Sequence, residues 1–274
     1  MRILGVSAVI IVVFAVCFLG LSYPDFKALP VDQHRTFESV HLEAERGDAE
    51  AQCILASYYY EGANVAENQV EAVKWWRKSA GQGYAEAQHD LAVCYAEGKG
   101  VTTNELEAVN WYRKAADHGI VEAQFNLANC YQDGRGVKQD RVEALKWYKK
   151  AAKQGNPRSQ TIAGSCYWTG NNVKIDKAKG IKWIGAAAEQ GDPGAFCCLS
   201  IAYFFGDGVK QDYVQSYKYG LLFMGSGKPD IINEDEREQM KTVMASLDGM
   251  MKPGQIDEAK RLANSYKVST ISRK

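Results

Sequence analysis

Glycine recurs every 36 residues through much of this chain, at Gly47, Gly83, Gly119, Gly155 and Gly191, with Gly227 closing the series. The residues between successive glycines repeat in register. A period of that length marks one supersecondary unit stacked on copies of itself, with contacts mainly between neighbours. Such an array offers an extended surface that holds something, in place of a single catalytic pocket.

The third repeat shows what each copy encodes. Ala123, Gln124, Leu127, Ala128 and Tyr131 recur at helical spacing and form the apolar stripe of a first helix. Asp133-Gly134-Arg135-Gly136-Val137 is a turn. Gly136 aligns with Asn64, Gly100, Asn172 and Gly208, and Gly and Asn are the residues that tolerate a left-handed backbone, so positive φ is predicted there. Asp140, aligned with Asn68, Asn104, Asp176 and Asp212, is the expected N-cap of a second helix. Glu143, like Glu71 and Glu107, stands three residues on and completes a capping-box pattern. Trp147 aligns with Trp75, Trp111, Trp183 and Tyr219, and this ladder is expected in the core. The next glycine ends the second helix. Each unit is thus an antiparallel helical hairpin that cannot bury its own apolar face, and stacking five of them creates a continuous core.

These residues resemble the Sel-one-like repeat family, a relative of the tetratricopeptide repeats. The third repeat carries nearly the whole pattern: Ala123-Gln124, Leu127-Ala128, Tyr131, the Gly134–Val137 turn, Asp140, Ala144, Trp147-Tyr148 and Lys150-Ala151-Ala152. The fourth departs at Gly164 and Gly180, the fifth at Phe196, Ser216 and Tyr219. The resemblance covers residues 47–227. It implies an all-α, right-handed superhelical solenoid of five 36-residue hairpins with helical caps. It also implies protein–protein scaffolding and adaptor work, often in bacterial envelope or signalling assemblies.

The expected repeats are 47–82, 83–118, 119–154, 155–190 and 191–227. Residues 23–46 read as a linker and an N-terminal capping helix, with Phe37, Val40 and Leu42 covering the open face. Residues 228–267 read as C-terminal capping helices and 268–274 as a tail. Residues 3–21 are nineteen in number and carry no charge, roughly 28 Å of helix and close to a bilayer core. An uncleaved membrane anchor and a signal peptide cut near Gly20-Leu21-Ser22 both fit residues 1–22. Either places the repeats outside the cytoplasm, on the periplasmic side if the source is bacterial.

Lysine plus arginine equals aspartate plus glutamate, so no net basic field argues for nucleic acid. Cys94, Cys130 and Cys166 hold one position in three successive first helices. Such positions stack roughly 8–10 Å apart, beyond the about 7 Å that a disulfide spans, so these thiols are expected to be buried and unpaired. The four histidines (His34, His41, His89 and His118) make no metal-ligand spacing, and there is no C-x-x-C. The G-x-G turns lack the strand and the lysine of a phosphate loop. No cofactor, metal or nucleophile pattern appears, so an enzyme would need a site hidden in the caps.

The resemblance implies that first helices line a concave groove. On that alignment the groove is polar and acidic at Tyr60, Glu61, Glu97, Asn129 and Asp133, and aromatic at Trp168, Phe204 and Phe205. The expected function is a non-enzymatic, membrane-tethered scaffold holding a protein or peptide in that groove. The alternative is an envelope protein binding cell-wall glycan through Trp168 and Phe205.

Overall fold

A computed structural model describes residues 36–226 and 234–271. The apolar run at 3–21, the sixth glycine and the tail beyond 271 lie outside the described residues. All thirteen helices among them belong to one α-class, in the order α1 (Phe37–Glu45), α2 (Ala49–Glu61), α3 (Gln69–Gly81), α4 (Ala85–Glu97), α5 (Glu105–Asp117), α6 (Val121–Asp133), α7 (Arg141–Lys153), α8 (Pro157–Thr169), α9 (Lys177–Glu189), α10 (Pro193–Phe205), α11 (Tyr213–Met224), α12 (Glu234–Met250) and α13 (Pro253–Ile271). No strand is present among the described residues. The described residues form two compact units, one ending at Ala151 and the other beginning at Ala152.

In the first unit each hairpin is closed by the same local chemistry. Gly62, Gly98 and Gly134 end first helices in a left-handed conformation, and the next turn position follows suit at Asn64, Gly100 and Gly136. The predicted positive φ is therefore observed. Asn68 and Asn104 accept hydrogen bonds from the backbone N–H groups of Glu71 and Glu107, and Asp140 from that of Glu143. The reciprocal half of the capping box is absent for a physical reason. The N-cap N–H already donates to a first-helix carbonyl: Asn68 to Tyr59, Asn104 to Tyr95, Asp140 to Tyr131. The freed carboxylates of Glu71 and Glu143 pair instead with Lys74 and Lys146.

Buried glutamines tie each hairpin to the one before it. Gln52, Gln88 and Gln124 donate from Nε2 to the carbonyls of Ala44, Ala80 and Ala116. The tryptophan ladder differs from expectation. Trp75 and Trp147 are buried, but Trp111 is half-exposed, and the wholly buried aromatic is the next residue: Trp76, Tyr112 or Tyr148. The three tryptophans of the first unit are each roofed by a lysine, with Nζ 3.5 Å from the ring centroid for Lys78 on Trp75, 3.6 Å for Lys114 on Trp111 and 3.5 Å for Lys150 on Trp147.

The second unit continues the pattern with Asp176 and Asp212 as N-caps and Pro193 opening α10 after Asp192. Its core joins Ile184, Phe196, Leu199, Phe223 and Met240. The α12 helix buries Met240 and Leu247 on one face, and the Tyr266 hydroxyl of α13 donates to the Ala188 carbonyl. Helices α8 and α9 cross closely. A Cβ on Gly164 would lie 2.8 Å from the Gly180 carbonyl oxygen, and one on Gly180 2.7 Å from that of Gly164. The glycines that depart from the repeat pattern are thus what allows the approach. All six described cysteines are buried and none is in a disulfide, including Cys94, Cys130 and Cys166.

Candidate functional site

Four of the expected groove residues in the first unit belong to small polar networks. The Tyr60 ring packs on Trp76 at 5.4 Å between centroids. The Lys99 ammonium lies 5.6 Å from the Tyr60 ring centre and 2.8 Å from the Glu97 carboxylate. Hydrogen bonds to Glu97 and Tyr60 raise the Lys99 pKa above its ordinary value, so this cation stays charged. Burial pushes the Tyr60 phenol up, against the opposing pull of Lys99. Tyr60, Glu97 and Lys99 therefore form one half-buried cluster bridging α2 and the turn after α4. Lys99 was invisible to the sequence reading because its position holds no recurring residue type.

Asn129 is the acceptor for the buried Tyr148 hydroxyl at 2.5 Å, and Gln132 Oε1 lies 3.1 Å from the same oxygen. Asp133 lies 3.4 Å from Arg135 in the turn, and partial burial raises its carboxyl pKa against the pull of that guanidinium. Glu61 is exposed. Next to these lies a buried polar group that the sequence did not announce. His89 Nδ1 is 3.0 Å from Asp90 Oδ1, and Asn126 Nδ2 approaches His89 Nε2 at 3.4 Å. Burial raises the Asp90 carboxyl pKa, with His89 opposing.

In the second unit the aromatic set separates. Trp168 is only 5% exposed and belongs to the core, which corrects its expected place as an exposed anchor. The cause lies on α9. Gly180 stands where other repeats have Ala72, Ala108, Ala144 and Ser216, and its missing side chain makes room for Trp168, whose backbone N would be 2.7 Å from a Cβ there. Phe204 is half-buried against the cluster of Tyr217, Leu247, Met251 and Ala259. Phe205 is 42% exposed and meets Phe204 edge-on, with centroids 4.9 Å apart. No group of three or more metal-ligating side chains comes together among the described residues. No described helix is long and apolar enough to cross a membrane.

The Sel1 repeat family model matches residues 49–84, 85–120, 121–156, 157–192 and 195–222. Two solved structures are similar. One is c5321, a protective antigen present in uropathogenic Escherichia coli strains and displaying an SLR fold, at 28% identity over 85% of this chain with a TM-score of 0.68. This chain spans 56% of that protein's length. The other is a Sel1 repeat protein from Oxalobacter formigenes, at 27% identity over 83% of this chain and 93% of that one, with a TM-score of 0.69. No curated protein matches the chain.

Proposed function

Since this chain belongs to the Sel1 repeat family, whose members generally act as protein-interaction scaffolds, we propose that it is a membrane-tethered, non-enzymatic scaffold that docks a protein or extended peptide on its first helices. The observation that carries the reading is the residue set these helices leave accessible. The Tyr60–Lys99–Glu97 cluster offers a fixed cation and an aromatic edge in the first unit, and Phe205 offers an exposed ring in the second. Partly exposed aromatics held by packed neighbours are typical interface anchors. Tethering is supported by the nineteen uncharged residues at 3–21.

The glycan alternative is less well supported. A stacking platform needs open ring faces, and of its two motivating rings Trp168 is buried. The test is a cross-linking capture from native membranes with the full chain, a Tyr60→Ala/Lys99→Ala variant and a Phe205→Ala variant. One protein captured by the parent and lost by either variant supports docking on the first helices. Equal capture by all three, or capture of none, refutes it.

A further inference from the structure

The second helices of the first unit each leave one aliphatic side chain of the first turn more than half exposed. Val70, Leu106 and Val142 are 55%, 61% and 52% exposed. They are equivalent positions, 36 residues apart, in the first turns of α3, α5 and α7. Further along each helix, seven and eight residues on and thus near the same side, come cations: Arg77 and Lys78, Arg113 and Lys114, Lys149 and Lys150. All of these but the half-buried Lys149 are exposed. Across residues 69–81, 105–117 and 141–151 there are nine Lys and Arg against five Asp and Glu, in a chain of zero net charge.

The fold does not require this face. In the fourth repeat the equivalents of Val142 and Lys150 are Ala178 and Ala186; in the fifth they are Val214, which packs on the Tyr217–Leu247 cluster, and the buried Leu222. The hairpins form there all the same. A row of aliphatics beside a row of cations is the side-chain chemistry of a surface lying in the headgroup region of a bilayer. The long lysine stems reach along apolar surface while the ammonium stays with the phosphates.

We propose that the outward face of α3, α5 and α7 rests on an anionic lipid bilayer, with Val70, Leu106 and Val142 in the headgroup region and the cation pairs on lipid phosphates. Two observations favour lipid over an acidic protein. The uncharged run ends at residue 21 and α1 begins at residue 37, a gap that extended chain spans in at most about 55 Å, so a membrane that holds that run holds this unit within reach. The aliphatics, moreover, are single side chains one repeat apart, roughly 8–10 Å. They suit shallow entry into a fluid interface rather than a pocket shaped for contiguous anchors.

The test is a lysine-acylation footprint on the full chain in vesicles of phosphatidylcholine alone, and in vesicles of equal parts phosphatidylcholine and phosphatidylglycerol. With each cation near an anionic surface contributing about fivefold in affinity, acylation of Lys78, Lys114 and Lys150 should fall at least about fivefold on the anionic vesicles. It should recover at high salt, while the exposed Lys210 and Lys252 stay unchanged. Leu106→Asp at its exposed site should weaken the protection without changing the circular dichroism spectrum. Equal acylation on both vesicles, or protection that appears only after a protein is added, overturns the proposal. Because the vesicles contain no other protein, either result leaves the scaffold reading to its own test.

Discussion

Gly180 and Gly185 lie five residues apart on α9, and alanine at each should shift stability in opposite directions. Both have helical neighbours, so alanine removes about 0.5–1 kcal/mol of backbone entropy cost at either site. At Gly185 a Cβ meets nothing within 4 Å, and that gain stands. At Gly180 the Cβ would lie 2.7 Å from the Gly164 carbonyl oxygen and 2.7 Å from the Trp168 backbone nitrogen. Backbone atoms cannot rotate aside, so α8 and α9 must separate and the buried Trp168 must move with them. Overpacking of this kind costs about 1–3 kcal/mol or more, which outweighs the gain. The net expectation is a loss of about 2 kcal/mol for Gly180→Ala and a gain of about 0.5–1 kcal/mol for Gly185→Ala. At about 2–4 °C per kcal/mol for a protein of this size, the two midpoints should separate by roughly 5–12 °C. Thermal unfolding followed by far-UV circular dichroism reads this directly. A Gly180→Ala protein as stable as the parent would show that the close crossing, and with it the account of Trp168, is wrong.

Other outcomes follow from single sites. Gly136→Ala combines a left-handed φ of +64° with a Cβ 2.1 Å from the Glu105 carbonyl oxygen, so denaturant unfolding should show a loss of about 2–4 kcal/mol. The Asp90 pKa is raised by burial: the native state holds its proton to higher pH than the unfolded chain, so stability falls as pH rises through the interval above the ordinary value of 3.8. Asp90→Asn should therefore raise the melting temperature at pH 7 and change it much less at pH near 4. Tyr148→Phe strands the acceptors Asn129 and Gln132 and should cost about 1–3 kcal/mol in the same denaturant assay. The six described cysteines are buried, with the Cys130 thiol pushed up to about 11 by burial. An aromatic disulfide reagent should label them only after unfolding, and rapid labelling of the native protein would contradict their placement.

The period, the turn glycines and the N-caps were legible because each is a local backbone requirement that few residue types meet. Gly136, Asn64 and Asp140 announce left-handed turns and helix starts whatever surrounds them. Side-chain destinations set by a neighbouring helix were not legible. Trp168 sits at a position shared with the half-buried Tyr60 and Phe204, and its burial goes with a close α8–α9 crossing that Gly180, on another helix, permits. The departure at Gly180 was visible in the sequence, and coupling it to Trp168 was the missing step. Trp75 and Trp76 posed a similar problem, since adjacent large aromatics leave open which one takes the core. The lysine three residues on proved diagnostic: it roofs the ladder tryptophan and leaves the next aromatic buried. His89, Asp90 and Asn126 meet only through the stacking of α4 on α6, a register that no window within one repeat reveals.

The central claim is that the first helices take a protein. A photo-reactive phenylalanine analogue placed at residue 205, and separately at residue 106, tests this most directly when each protein is irradiated in its native membrane. The account predicts a discrete protein adduct from residue 205 and a lipid adduct from residue 106. A protein adduct from residue 106 with none from residue 205 would contradict it.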